Sequence, residues 1–266
     1  MTFNLHVKQT GGGPAVIVLH GLFGAGGNLG ALARALQDKF TVFSVDLPNH
    51  GRSAWLNEPN LATMAKTLEQ WMDGQGLGQA HVVGHSLGGK VAMQLALEQP
   101  ERVESLVVAD IAPVSYSAHH DAVFAALADV EAADCTSREH AAEVMTRHLS
   151  GDALIQFLLM SLRRDPTGLY RWRFDLQGLK ACYSSLLAAP NAGQSYLGPS
   201  LFVKGGTSHY IDEQHWPLIQ KFFPNSSIKV LPGCGHWLHA EKPQMFNGIV
   251  ERFLVSVKPS MLSPEK

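Results

Sequence analysis

Ser86 stands in Gly84-His85-Ser86-Leu87-Gly88, directly after an apolar run at residues 81–83 and at the head of a helical pattern over residues 87–97. A serine on a sharp strand-to-helix turn has its hydroxyl lifted clear of the backbone, as a nucleophile for acyl transfer requires. The two outer glycines are expected because a side chain at either place would collide with the neighbouring helix or strand, and the serine itself should hold a strained conformation. A serine hydroxyl is a poor nucleophile until a neighbouring base takes its proton. Of thirteen histidines, His236 is the best placed: it lies in Gly233-Cys234-Gly235-His236-Trp237, after the last strand pattern and before the carboxy-terminal helix pattern. Serine first and histidine last is a chain order that such triads use. His239 reads as a turn residue, since no third ligand accompanies it and His236 for a metal.

The third member, an acid to orient the imidazole, has two candidates. Asp110 ends the apolar run at residues 105–109, and Asp212 follows the run at 201–203 after the loop Gly205-Gly206-Thr207-Ser208-His209-Tyr210. In that loop Ser208 fills the place where a carboxylate is expected, which favours Asp110. An acyl-transfer site also needs backbone donors for the developing oxyanion. The Leu87 amide, at a helix start, is one; His20-Gly21-Leu22-Phe23-Gly24 supplies the other, with Leu22 as first choice and Phe23 as second.

Positioning these residues requires a frame. Short runs rich in apolar and β-branched residues, at 15–19, 40–45, 81–83, 105–109, 201–203 and 228–231, alternate with helical patterns at 29–36, 61–72, 87–97 and 246–257. Such alternation predicts a parallel sheet with helices on both faces. Residues 3–8 alternate and meet Gly11-Gly12-Gly13-Pro14, so they read as an antiparallel edge strand and a turn; the glycine run lacks the Lys-Ser/Thr of a phosphate loop. Between about 113 and 190 no strand is apparent. Helical patterns at 121–130, 138–149 and 153–162 accompany Tyr170, Trp172, Phe174 and Tyr183 there. The organisation expected is a core from 1–112 and 191–257, a helical cap over the carboxyl edge from 113–190, and a frayed tail at 258–266.

A chain of 266 residues, 45% hydrophobic and 17% charged, can bury a large core, and this composition excludes disorder for most of it. A net charge of −2 and a pI near 6.7, with lysines and arginines scattered along the chain, argue against a nucleic-acid or anionic-membrane partner. Three cysteines in no metal or CxxC spacing suit a reducing, cytoplasmic setting. Residues 1–10 lack the pattern of a signal peptide, and no apolar stretch approaches membrane-spanning length.

Taken together, these motifs resemble the α/β-hydrolase superfamily and, more narrowly, the small YbfF-type bacterial esterases, which have mitochondrial relatives. The resemblance runs from His20-Gly21-Leu22-Phe23-Gly24 to His236-Trp237-Leu238-His239 and includes Asp46-Leu47-Pro48-Asn49-His50-Gly51-Arg52-Ser53, Asp110-Ile111-Ala112-Pro113 and Trp172-Arg173-Phe174. It implies a mostly parallel eight-stranded sheet with a helical cap, an acid at Asp110, and Ser208 as an auxiliary residue near the histidine. Substrate contacts are expected from His85, Trp172 and Tyr210, with His50 and Arg52 shaping a turn. The implied activity is cofactor-free, metal-free hydrolysis of short- to medium-chain acyl esters, extending to acyl-CoA thioesters. A perhydrolase side activity and a non-catalytic ligand-binding member of the same fold are the alternatives.

Overall fold

The computed structural model describes residues 4–190 and 193–257. The run Ala15–Leu19 contains no polar residue, so a strand there must be covered on both faces. Its side chains alternate accordingly. Val16 and Val18 join one buried cluster with Leu32, Leu36, Val250 and Leu254, and Ile17 and Leu19 join another with Leu68, Val91 and Leu95. Two helical layers therefore sandwich the sheet.

In chain order the strands are β1 (Val7–Gly11), β2 (Ala15–Leu19), β3 (Thr41–Val45), β4 (Ala80–His85), β5 (Val103–Ala109), β6 (Leu162–Arg164), β7 (Tyr170–Trp172), β8 (Ser200–Gly205) and β9 (Ser226–Leu231). Seven of them form one sheet in the order β1-β3-β2-β4-β5-β8-β9, with β1 antiparallel and the rest parallel. The expected count of eight is thus corrected to seven among the described residues: beyond β3 the sheet carries β1 alone. That edge strand covers Val7–Gly11 rather than 3–8, and Phe3 lies outside the described residues, as does the expected tail at 258–266.

Helices α1 (Gly30–Leu36), α2 (Leu61–Gly74) and α3 (Leu87–Glu98) connect the first five strands. The interval between β5 and β8 holds α4 (Asp121–Ala132), α5 (Arg138–Met145), α6 (Asp152–Leu159), α7 (Leu176–Ala181) and α8 (Tyr183–Leu187). It is not free of strands as expected, because β6 and β7 pair there as an antiparallel ribbon. The chain then continues through α9 (Trp216–Phe222), α10 (Leu238–Glu241) and α11 (Pro243–Ser256). No helix among the described residues is long and apolar enough to cross a membrane.

Register decides what meets at the carboxyl edge. His85 of β4 pairs with Ala109 of β5, and Ala109 in turn pairs with Val203 of β8. Ser86 and Asp110, each one residue past its strand, therefore emerge side by side.

Candidate active site

The turn at Ser86 is as tight as the sequence implies. Ser86 has φ 53° and ψ −118°, and its amide donates to the Ala109 carbonyl at 3.1 Å. A Cβ on Gly84 would lie 2.2 Å from the Gly88 carbonyl oxygen, and one on Gly88 would lie 2.5 Å from that of Leu19. Only glycine fits either place, so the elbow backbone holds the serine whatever its side chain does.

His236 reaches Ser86 from three strands away. The loop after β9 passes over the end of β8, where a Cβ on Gly205 would sit 2.2 Å from the Gly235 carbonyl oxygen. That passage brings His236 Nε2 to 3.0 Å from Ser86 Oγ and its Nδ1 to 2.8 Å from Asp110 Oδ2. With Nδ1–H donating to the carboxylate, Nε2 is left to accept the serine proton. Asp110 is wholly buried, with φ 51°. Gly205 N donates to its Oδ1 at 2.8 Å, and Ser208 Oγ donates to its Oδ2. Ser208 therefore stands beside the histidine through the acid, its hydroxyl bonded to the same Oδ2 that His236 Nδ1 meets. Asp212 stands apart, its Oδ1 3.9 Å from Lys204 Nζ and 4.0 Å from His209 Nδ1.

Two rings pack against the imidazole. Tyr210 stacks on His236 at 3.9 Å between centroids and 24° between planes, and His85 lies tilted to it at 4.8 Å. His85 Nε2–H donates to the His236 carbonyl at 2.8 Å. Burial, followed by the charges of His239 and His236, holds His85 well below its ordinary pKa, so it stays neutral and keeps that bond.

Of the three expected oxyanion donors, two are free. Leu87 begins α3, where amides have no intrahelical acceptor, and the Leu22 amide enters none of the hydrogen bonds among the described residues. Phe23 is corrected: its amide donates to His50 Nε2 at 3.2 Å and so points away from any oxyanion. His50 donates its Nδ1–H to the Pro48 carbonyl at 2.8 Å, and burial pushes its pKa down to about 3. His20, also buried and lowered, accepts the Leu47 amide at 3.0 Å and donates to the Gly21 carbonyl at 2.8 Å. Two neutral imidazoles, 5.1 Å apart, therefore fix the turn that carries Leu22.

Two small cavities flank Ser86. One, of about 60 Å³, is lined by Leu22, His85, Leu154, Phe157, His236 and Trp237 among others. The second, of about 30 Å³, is lined by Leu87, Lys90, Ile111, Tyr116, Leu186 and Leu187 among others. Tyr210 borders both cavities and His85 borders the first. Trp172 does not: it lines neither cavity, its indole N–H donates to the Leu127 carbonyl at 3.0 Å, and its ring stacks on Phe174 at 5.2 Å. It packs the interior of the segment between β5 and β8. That segment supplies Leu154, Phe157, Leu186 and Leu187 to the two cavities beside Ser86.

Sequence reasoning missed Tyr116 and Lys90. Tyr116 accepts the Ala112 amide at 2.9 Å and donates to the Tyr210 carbonyl; nothing in the pattern near Pro113 signals it. Lys90 is a lysine inside the apolar run of α3, which is the signal that was available. It is buried and donates to the carbonyls of Val114, Leu187 and Ala188 at 2.8, 2.7 and 2.6 Å, and burial lowers its pKa to about 7. Among the described residues no cluster of three or more His, Cys, Asp or Glu side chains could hold a metal ion.

A family model described as the alpha/beta hydrolase fold matches residues 14–243. The chain belongs to the α/β-hydrolase family. This hydrolase is 37% identical over 240 residues to the esterase YbfF of Escherichia coli (strain K12), a match covering 90% of the chain and 92% of that protein. It is 36% identical over 249 residues to the sn-1-specific diacylglycerol lipase ABHD11 of Mus musculus, with 91% and 81% covered. A solved structure described as a marine microorganism esterase superposes on the hydrolase with a TM-score of 0.91 at 32% identity, covering 94% of this chain and 99% of that one.

Proposed function

We propose that this α/β-hydrolase is a serine carboxylesterase that cleaves short- to medium-chain acyl esters through an acyl-enzyme on Ser86. The observation that carries the reading is the continuous relay from Ser86 Oγ to His236 Nε2 at 3.0 Å and from His236 Nδ1 to Asp110 Oδ2 at 2.8 Å. In the forward step Ser86 Oγ attacks the acyl carbonyl while its proton passes to His236 Nε2. The imidazolium so formed is stabilised by the buried Asp110 carboxylate, and the Leu22 and Leu87 amides receive the oxyanion. His236 then protonates the departing alcohol, and water repeats the sequence to release the acid.

That proton delivery assigns the two cavities. The leaving group must depart beside His236, in the space of about 60 Å³ bordered by His236 and Trp237. The acyl chain takes the space of about 30 Å³ over Leu87, which has room for only about two or three water-sized groups. Residues 113–190 act as a cap that closes both spaces. The same chemistry cleaves a thioester, as no step depends on the leaving atom being oxygen. A series of p-nitrophenyl esters run beside acyl-CoAs of matching length tests the reading: kcat/KM is expected to be highest for acetyl to butyryl esters and to decline beyond. A rate that climbs steadily to long chains would contradict the acyl assignment.

A further inference from the structure

Four cations far apart in the sequence come to one place. On the far side of the oxyanion turn lies a cavity of about 510 Å³, lined in part by Lys8 of β1, Arg34 of α1, Arg52 and Arg173. It shares no lining residue with either cavity beside Ser86. We propose that this cavity, lined by four cations without an ion-pair partner, binds a phosphate-bearing small molecule with at least two negative charges, of the nucleoside diphosphate kind.

None of the four side chains enters an ion pair or hydrogen bond among the described residues, whereas Lys39, Arg102 and Arg171 meet carboxylates at 2.6, 2.7 and 2.7 Å. The acid that lines the cavity, Asp46, is already committed. Its Oδ1 accepts the Gly26 amide at 2.6 Å and its Oδ2 the Arg52 amide at 2.9 Å, so it braces the turn, and its single charge offsets at most one of the four positive charges. Four like charges lining one space repel each other, and a bound anion would relieve that repulsion. Arginine forks match phosphate oxygens bidentately. The size falls in the range of small-molecule sites, roughly 300–1,000 Å³. Apart from Ala25, Ala33 and Met160 the wall is polar or glycine, which suits a water-borne anion and offers no apolar apron for a lipid surface.

The place also matters. Ala25, Gly26 and Gly27 continue the turn that carries Leu22, and Ser161, another wall residue, donates to the Phe23 carbonyl at 2.6 Å. A bound anion would rest directly behind the oxyanion turn. The proposal does not depend on the chemistry assigned to Ser86, and its test uses binding alone.

Thermal melting and isothermal titration with pyrophosphate and with ADP, at low salt, are compared for the wild type and the double variant Arg34→Gln/Arg173→Gln. The expected result is saturable binding to the wild type below about 1 mM with a raised Tm, weakened by added salt. The double variant is expected to bind at least roughly tenfold more weakly, and without ligand to melt no lower than the wild type, since repulsion is relieved. Absence of binding to the wild type would overturn the proposal, as would equal binding by the variant. So would association with phosphatidylglycerol vesicles in place of either soluble anion, which would make the patch a lipid contact.

Discussion

Asp110 Oδ2 receives two donors at once, His236 Nδ1–H and the Ser208 hydroxyl, while Oδ1 takes the Gly205 amide. The charge matters more than any one of these bonds. Asp110→Asn is expected to lower kcat on p-nitrophenyl acetate by a factor on the order of 10⁴, the scale seen when a protease triad loses its acid in this way. Ser208→Ala removes one hydrogen bond to a carboxylate that keeps two others, so a loss of a few-fold to about tenfold is expected. Asp212→Asn, remote from the imidazole, should be nearly silent in the same assay. A crippling Asp212→Asn with a mild Asp110→Asn would reverse the assignment of the acid. That Ser86, His236 and Asp110 would meet was legible because Ser86 and Asp110 each directly follow a strand and His236 lies in the loop after the last one. The contacts of Phe23 and Ser208 were not. The Phe23 amide is taken by His50, twenty-seven residues on, and the Ser208 hydroxyl turns toward a buried charge ninety-eight residues away; neither contact leaves a local pattern.

Among the elements, the segment between β5 and β8 is tied to α3 near both of its ends by one side chain. Lys90 holds the carbonyls of Val114 near its start and of Leu187 and Ala188 near its finish. Leu187 also borders the small acyl space. Leu187→Ala, which keeps the backbone carbonyl, is expected to enlarge that space and move the optimum p-nitrophenyl ester longer by about two carbons, judged by kcat/KM across the series. An unchanged preference would place the acyl chain elsewhere. The parallel core strands were readable because burial on both faces makes them continuous apolar runs. The β6–β7 ribbon was not: Leu162–Arg164 and Tyr170–Trp172 are three residues each and carry three arginines between them, so they show no strand signature. Trp172 misled for a related reason. An aromatic in a cap motif looks the same in sequence whether it faces a ligand or, as here, stacks on Phe174.

For the whole molecule, the histidines set the acid limit. Burial holds His50 down to about 3, and His120 and His239 to about 4, whereas unfolded histidine titrates near 6.5. As pH falls below about 6.5 the unfolded chain takes up protons that these folded residues refuse, so stability present in full above that value drains away toward pH 4. Each such group contributes up to about 1.4 kcal/mol per pH unit in that window. Thermal melting is therefore expected to fall steeply between about pH 6 and pH 4. A flat Tm there would mean that these imidazoles charge freely in the fold. Composition alone, with thirteen histidines, could not say which are buried, just as an overall charge of −2 hid the basic cavity behind the oxyanion turn.

The central claim, that Ser86 is a nucleophile driven by His236, is tested most directly by fluorophosphonate labelling read by intact mass. The wild type should gain a single phosphonyl adduct rapidly, carried on the peptide that contains Ser86. Ser86→Ala should gain none, and His236→Ala should react slower by orders of magnitude. Labelling of Ser86→Ala at the wild-type rate, or a wild type inert to the probe, would contradict the account.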